Sequence, residues 1–278
     1  MHEVLVVIGA GGMGEAIVRR SGAGQQILLA DVDEAALDRV GSALAGDGFA
    51  VTTQQVDVSS RESVAALAAA AAELGSVRSF VHTAGVSPQQ APTAAVLKVD
   101  LLGVAVSLEE FGKVVAPGGA GVVIASMAGS MTAGSLPAEM EAALASTPTD
   151  ELLSLPFLHE GALSNSGAAY GIAKRANQVR VQAASADWGA RGARVNSISP
   201  GVISTPMGQH ELASENGVSM RAMIQSSGTG RIGTSADVAG AAAFLLGPDA
   251  TFITGTDLLV DGGVVAAVRS GRIQKPTT

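Results

Sequence analysis

The sequence predicts an α/β fold, a doubly wound parallel sheet of the Rossmann type with seven strands and helices on both faces. Three observations predict it. Short apolar runs alternate with longer Ala-rich stretches, the runs end in turn residues, and the first run passes directly into a glycine-rich loop. The runs are continuous rather than strictly alternating, which suits parallel strands covered on both faces.

In chain order, EVLVVIG, QILLAD, AVTTQQVDV, SFVHTAG, GVVIAS, RVNSISPG and DLLVDGG read as the strands. Between them, Gly14 to Arg20, Glu34 to Leu44, Arg61 to Leu74, Ala94 to Val115, Ala169 to Trp188 and Ala236 to Leu246 carry small or apolar residues at helical spacing. No composition break divides the chain, so residues 1–263 are expected to form one Rossmann-type domain.

Residues 131–166 break the rhythm. LPAEMEAAL and TPTDELLSL each place Pro at a first helical position, and Thr147 and Asp150 have capping-box spacing. An inserted helical pair over the sheet's edge is expected, with Met140 and Leu144 on one buried face; a disordered loop is the plainer alternative. Residues 264–278 read as a mildly basic tail that frays or joins a subunit contact.

Composition narrows the function. A net charge of -8 argues against a nucleic-acid partner, which needs clustered Lys and Arg to displace counterions. With no cysteine there is no disulfide framework, thiolate metal site or thiol nucleophile, and a reducing cytoplasm fits. The apolar run near the N-terminus is too short to span a bilayer and lacks signal-peptide features, so no membrane association and no metal are expected.

GAGGMG places Gly9, Gly11 and Gly14, with Gly12 and Met13 among them, after a strand and before a helix. There, backbone amides and a helix N-terminus can face a pyrophosphate. In a chain with 35 Gly the spacing alone is weak, so its setting carries the weight. Asp31 closes the second strand about 20 residues on, where a carboxylate can accept from both adenosine ribose hydroxyls and would repel a 2'-phosphate. With no Arg or Lys in the glycine loop, the cofactor expected is NAD rather than NADP. A turn or helix cap is the alternative use of Asp31.

AAYGIAKRANQ sets the chain's one Tyr, Tyr170, four residues before Lys174, so both share a helix face. Such a pair is often a surface contact. Here, however, the motifs recur in an order that resembles the classical short-chain dehydrogenase/reductase family from the glycine loop to DLLVDGG. VDV around Asp57 resembles the adenine-contacting turn with Val32 and Val58 nearby, and HTAG, with Thr83, Ala84 and Gly85, resembles the turn beneath the cofactor. IASMAG puts Ser126 at the family's catalytic Ser, and YGIAK supplies its Tyr and Lys. RVNSISPGVISTPM resembles the segment that holds the nicotinamide carboxamide, with Pro200, Gly201, Val202, Ile203 and Thr205.

The resemblance implies an NAD-dependent oxidoreductase interconverting a secondary alcohol and a ketone, its copies assembled as a dimer or tetramer. Tyr170 would be the acid/base, Lys174 would bind the nicotinamide ribose, and Ser126 would donate to the substrate oxygen. A phenol titrating near 10 needs about 4 kcal/mol to act as a base near neutral pH. One cation about 4 Å away supplies that much at an effective dielectric near 20, so Lys174 is expected to depress Tyr170.

Several positions depart from the family. Val7 and Ile8 stand where Thr-Gly usually opens the loop, and His82 and Thr83 replace two Asn. In VDLLG, Asp100 replaces the Asn that supports a water-linked proton path to the Lys, and a carboxylate cannot donate as an amide does. Either a weakened relay or direct attraction of Lys174 follows. The insertion resembles the extra segment of some hydroxysteroid dehydrogenases and carbonyl reductases, and is expected to border the cleft as a lid or to obstruct a subunit contact. A non-catalytic NAD(H)-binding sensor is the rival reading.

Overall fold

A computed structural model describes residues 2–159, 161–215 and 217–272. β1 (Glu3–Ile8) shows why the apolar runs are continuous: Val4, Val6 and Ile8 enter the core on one side of the sheet, while Leu5 and Val7 enter the core on the other. The other strands are β2 (Gln26–Asp31), β3 (Ala50–Gln55), β4 (Ser76–His82), β5 (Val115–Ile124), β6 (Arg194–Pro200) and β7 (Asp257–Val260). Their order is β3-β2-β1-β4-β5-β6-β7, with every pairing parallel. The chain winds outward from β1 to β3, then restarts beside β1 and winds the other way. That reversal opens a crevice at the carboxyl ends of β1 and β4.

One face is covered by α1 (Gly12–Ser21), α2 (Glu34–Gly46) and α11 (Ser235–Leu246), the other by α3 (Arg61–Leu74), α5 (Gly103–Val114) and α8 (Ser166–Ala190). Four of these six helices start on a short polar side chain: Asp33, Ser60 and Asn165 accept from first-turn amides of α2, α3 and α8, and Thr234 with Asp237 closes a capping box at α11.

The helix expected over Ala94 to Val115 is interrupted. It consists of α4 (Thr93–Val96), a π-helical turn over Leu97–Leu102, and α5, and Val115 already belongs to β5. The wider π turn carries Asp100, which is fully buried.

The insertion differs from its expectation in two ways. α6 (Met127–Thr132) is followed by α7 (Ala138–Ser146), but the second member of the pair is 3-10 rather than α, over Thr149–Ser154 and Pro156–Leu158. Pro148 takes the cap position with no side-chain hydrogen bond, so the Thr147–Asp150 box does not form. Pro156 restricts Leu155 to extended backbone and stops the turn.

The segment also lies on the helix layer, not over the sheet's edge. Leu144, Leu152 and Leu158 are buried with Val96 and Leu101 and with Ile172 and Ala176 of α8, while Met140 is only partly covered. Arg180 of α8 fastens it by donating to the carbonyls of Leu144 and Thr147 and to the Thr149 hydroxyl.

Residues 264–269, expected to open a tail, form α12 (Val264–Arg269), with Val264, Val265, Ala267 and Val268 buried. Residues 273–278 lie outside the described residues.

Candidate active site

The glycine loop sits at the mouth of the crevice. Gly9 has φ +109, and a β-carbon there would stand 2.3 Å from the Thr83 hydroxyl, so the position demands glycine. Gly11 caps α1 without a side chain, and nothing lies within 4 Å of where one would begin. The first amides of α1 therefore face an open cradle suited to an anion.

Most of the expected cofactor residues lie at or just beyond the carboxyl ends of β1 to β4 and β6, while Tyr170 and Lys174 lie on α8. Thr83 replaces the missing Asn braces: its amide donates to the Ile8 carbonyl, and its hydroxyl reaches the Ile8 and Gly9 carbonyls. Asp31 is drawn toward the loop, one oxygen accepting from the Ala10 amide at 2.6 Å and the other from the Asp33 amide at 3.0 Å. Each oxygen keeps a lone pair for a further donor. Val32 is exposed beside it, whereas the Val58 side chain is turned into the core. Asp57 binds its own turn through the Ser59 amide and hydroxyl.

Farther along, a cavity of about 680 Å³ is lined by Ser126, Tyr170 and Met13 and by Pro200, Gly201, Val202, Ile203 and Thr205. Ser126 follows β5 by two residues and caps α6, accepting from the Ala128 amide. Thr205 caps α9 (Pro206–Ala213), accepting from the Gly208 amide. Tyr170 and Lys174 lie one turn apart on α8, and the Lys174 ammonium is 5.4 Å from the centre of the Tyr170 ring. Serine and tyrosine thus share one wall, with the ammonium behind the ring.

Lys174 is held there by Asp100, 2.9 Å away, with both side chains buried. The other Asp100 oxygen accepts from the Val86 amide, and Gly85 leaves room for the pair, since a β-carbon there would meet Asp100 at 2.5 Å. Direct attraction, one of the two outcomes expected of Asp100, is what the geometry shows. Burial pushes the Asp100 carboxyl up against the opposing pull of Lys174. Burial also disfavours the Lys174 ammonium, but Asp100 and Tyr170 more than compensate, and its pKa stands above the ordinary lysine value.

The phenol departs from expectation. Burial raises the Tyr170 pKa above 10, and Asp100 adds to the rise, while Lys174 and the Ser126 hydroxyl pull the other way without prevailing. The ammonium's field is partly cancelled by the carboxylate it is paired with, so one cation does not deliver the full depression.

His82, at the end of β4, is fully buried, and neither ring nitrogen has a partner among the described residues. Burial first, and the Lys174 charge second, push its pKa down to about 3, so the ring is neutral and structural. No cluster of metal-ligating side chains occurs among the described residues. No helix there is long and apolar enough to cross a membrane.

Beyond the residues that sequence reasoning singled out, Gln89, Asn165, Ser166, Glu211 and Ser219 also bring polar groups to the cavity. Glu211 of α9 lines the cavity and accepts a hydrogen bond from the buried Ser87 hydroxyl, 124 positions away. No local motif announces this pairing. The insertion, by contrast, stays out: among the described residues none between Met131 and Asn165 lines the cavity, and only the two ends of the segment border the cleft.

Comparison with known proteins matches this arrangement. A family described as short chain dehydrogenase covers residues 3–138, and one described as Enoyl-(Acyl carrier protein) reductase covers residues 147–265. The chain is 45% identical over 265 residues to the short-chain dehydrogenase/reductase bsc3 of Alternaria brassicicola, covering 95% of this chain and 96% of that one. It is 29% identical to galactitol 2-dehydrogenase (L-tagatose-forming) of Cereibacter sphaeroides, covering 92% of each. The crystal structure of levodione reductase superposes with a TM-score of 0.74 at 25% identity, over 95% of this chain and 98% of that one. With its motifs in order, its sheet wound as described and relatives matching end to end, the chain belongs to the short-chain dehydrogenase/reductase family of oxidoreductases.

Proposed function

We propose that the protein is an NAD-dependent oxidoreductase that interconverts a secondary alcohol and a ketone. The observation that carries this reading is the shared wall: Ser126 and Tyr170 line one cavity with the Pro200 to Thr205 run, and Lys174 stands behind the phenol. The open cradle at Gly11 and the crevice at the strand ends fit a dinucleotide, with Asp31 favouring NAD because its carboxylate would repel a 2'-phosphate. Bound there, the nicotinamide supplies or accepts the hydride.

The chain's own part is proton transfer and orientation. Tyr170 gives its proton to the oxygen of a carbonyl being reduced and, in the other direction, takes it from the alcohol. Ser126 donates to that oxygen and stabilises developing negative charge. Lys174 favours the phenolate and orients the ribose, and Thr205 with the Ile203 backbone holds the carboxamide.

Edge strand β7 exposes Leu259, and Phe244 and Phe252 are exposed nearby in sequence; these surfaces support assembly of copies into a dimer or tetramer, which light scattering would check. The cysteine-free composition supports a cytoplasmic setting.

An NADH fluorescence titration followed by an absorbance screen of secondary alcohols and ketones tests the reading. Turnover with a kcat/KM preference for NAD over NADP is expected. Binding without turnover would favour the sensor, and equal use of both cofactors would remove Asp31 from its selective role.

A further inference from the structure

Six of the chain's eight methionines line the same cavity: Met13, Met127, Met131, Met207, Met220 and Met223. They come from α1, α6, α9 and α10 (Gly217–Ser226), so four separate elements converge to make one surface. Unbranched, polarizable thioethers adapt to irregular apolar bodies and offer nothing to a densely polar chain of hydroxyls.

Against this background Glu211 stands out. It is the one formally charged residue lining the cavity among the described residues, and it makes no ion pair there. Its known partner is the Ser87 hydroxyl, which donates to one carboxylate oxygen and, being 1% exposed, fixes where the group points. The second oxygen is left to accept. The other polar residues that line the cavity, among them Gln89, Asn165, Ser166 and Ser219, are neutral, so the free carboxylate oxygen is a strong acceptor there and favours a ligand that brings a donor. It also disfavours anions, because no lining Lys or Arg offsets the charge. Glu211 and Tyr170 line the same cavity, so one molecule can span both groups.

We propose that the substrate is a bulky, predominantly apolar alcohol or ketone that carries no negative charge and bears a second hydroxyl, and that Glu211 selects it by accepting a hydrogen bond from that hydroxyl. This rests on the oxidoreductase reading of the same cavity. The methionines receive the carbon skeleton, the reacting oxygen lies at Ser126 and Tyr170, and the second hydroxyl points to α9. Carboxylated and phosphorylated analogues are rejected by like charge.

Calorimetric titration tests this without requiring turnover. The probes are 1-decalone, a hydroxylated 1-decalone and a carboxylated 1-decalone, each titrated with and without NAD, which cannot reduce a ketone. The parent protein is expected to bind the hydroxylated probe at least about tenfold more tightly than plain decalone, and the carboxylate most weakly. Glu211→Leu should abolish the hydroxyl preference, while Glu211→Gln, which still accepts, should keep part of it and admit the carboxylate. Unchanged circular dichroism shows that each variant is folded. A preference that survives Glu211→Leu overturns the proposal, as does tightest binding of the carboxylate or no binding of any probe. Reduction of the same ketones by NADH is scored separately: selective binding without reduction would sink the oxidoreductase reading and leave the selectivity of Glu211 standing.

Discussion

The Lys174 ammonium and the Asp100 carboxylate form an ion pair 2.9 Å long with neither group open to solvent. The pairing has opposing effects on the phenol. It keeps the ammonium charged and in place behind Tyr170, yet the carboxylate cancels part of the field that would depress the phenol.

Asp100→Asn should therefore move the acid limb of alcohol oxidation to lower pH. Oxidation needs the phenolate and rises with pH through the Tyr170 pKa, which burial and Asp100 hold above 10; removing the Asp100 charge leaves Lys174 with less to oppose it. Carbonyl reduction needs the neutral phenol, so its alkaline limb should fall to lower pH as well. Asp100→Leu, which leaves a buried ammonium unpaired, is expected to cost about 3–5 kcal/mol in urea unfolding. Superimposable profiles for Asp100→Asn and the parent would mean that the carboxylate does not tune the phenol.

Tyr170→Phe removes the proton and keeps the ring. Turnover should fall by about 10²–10⁴-fold or below detection, while NADH affinity measured by fluorescence stays within about threefold of the parent. Substantial residual turnover would take Tyr170 out of its acid/base role.

His82 should make the fold acid-sensitive. The folded state keeps the imidazole neutral down to about 3, through burial first and Lys174 second, whereas the unfolded chain protonates it near 6.5. Between those values the unfolded state binds the extra proton, so this contribution is complete above pH 6.5 and is lost as pH falls toward 3. About 2 kcal/mol should disappear between pH 7.5 and pH 5 in urea unfolding. In His82→Gln that slope should flatten by about one proton; an unchanged slope would assign the acid sensitivity to other groups.

Arg180→Ala should loosen the insertion. Its three acceptors, on Leu144, Thr147 and Thr149, lose a buried charged donor, and a loss of about 3 kcal/mol or more is expected in thermal or urea unfolding. Since none of the described residues between Met131 and Asn165 lines the cavity, KM for any turned-over substrate should stay within about twofold of the parent. A large KM increase would restore the lid reading of the segment.

The sequence by itself determined the parts whose logic is local. Apolar runs set the seven strands, glycines between β1 and α1 set the cradle, and the four-residue spacing of Tyr170 and Lys174 set both on one face of α8. The tertiary structure alone decided the rest. A π turn buries Asp100 beside Lys174, 74 positions along the chain; Ser87 meets Glu211 across 124; methionines from four elements line one chamber; and Arg180 seats the insertion on the helix layer. Periodicity and capping record how a residue sits within its own element. A contact between distant elements depends on how those elements pack, and the balance of burial against charge at Tyr170 exists only once they have packed.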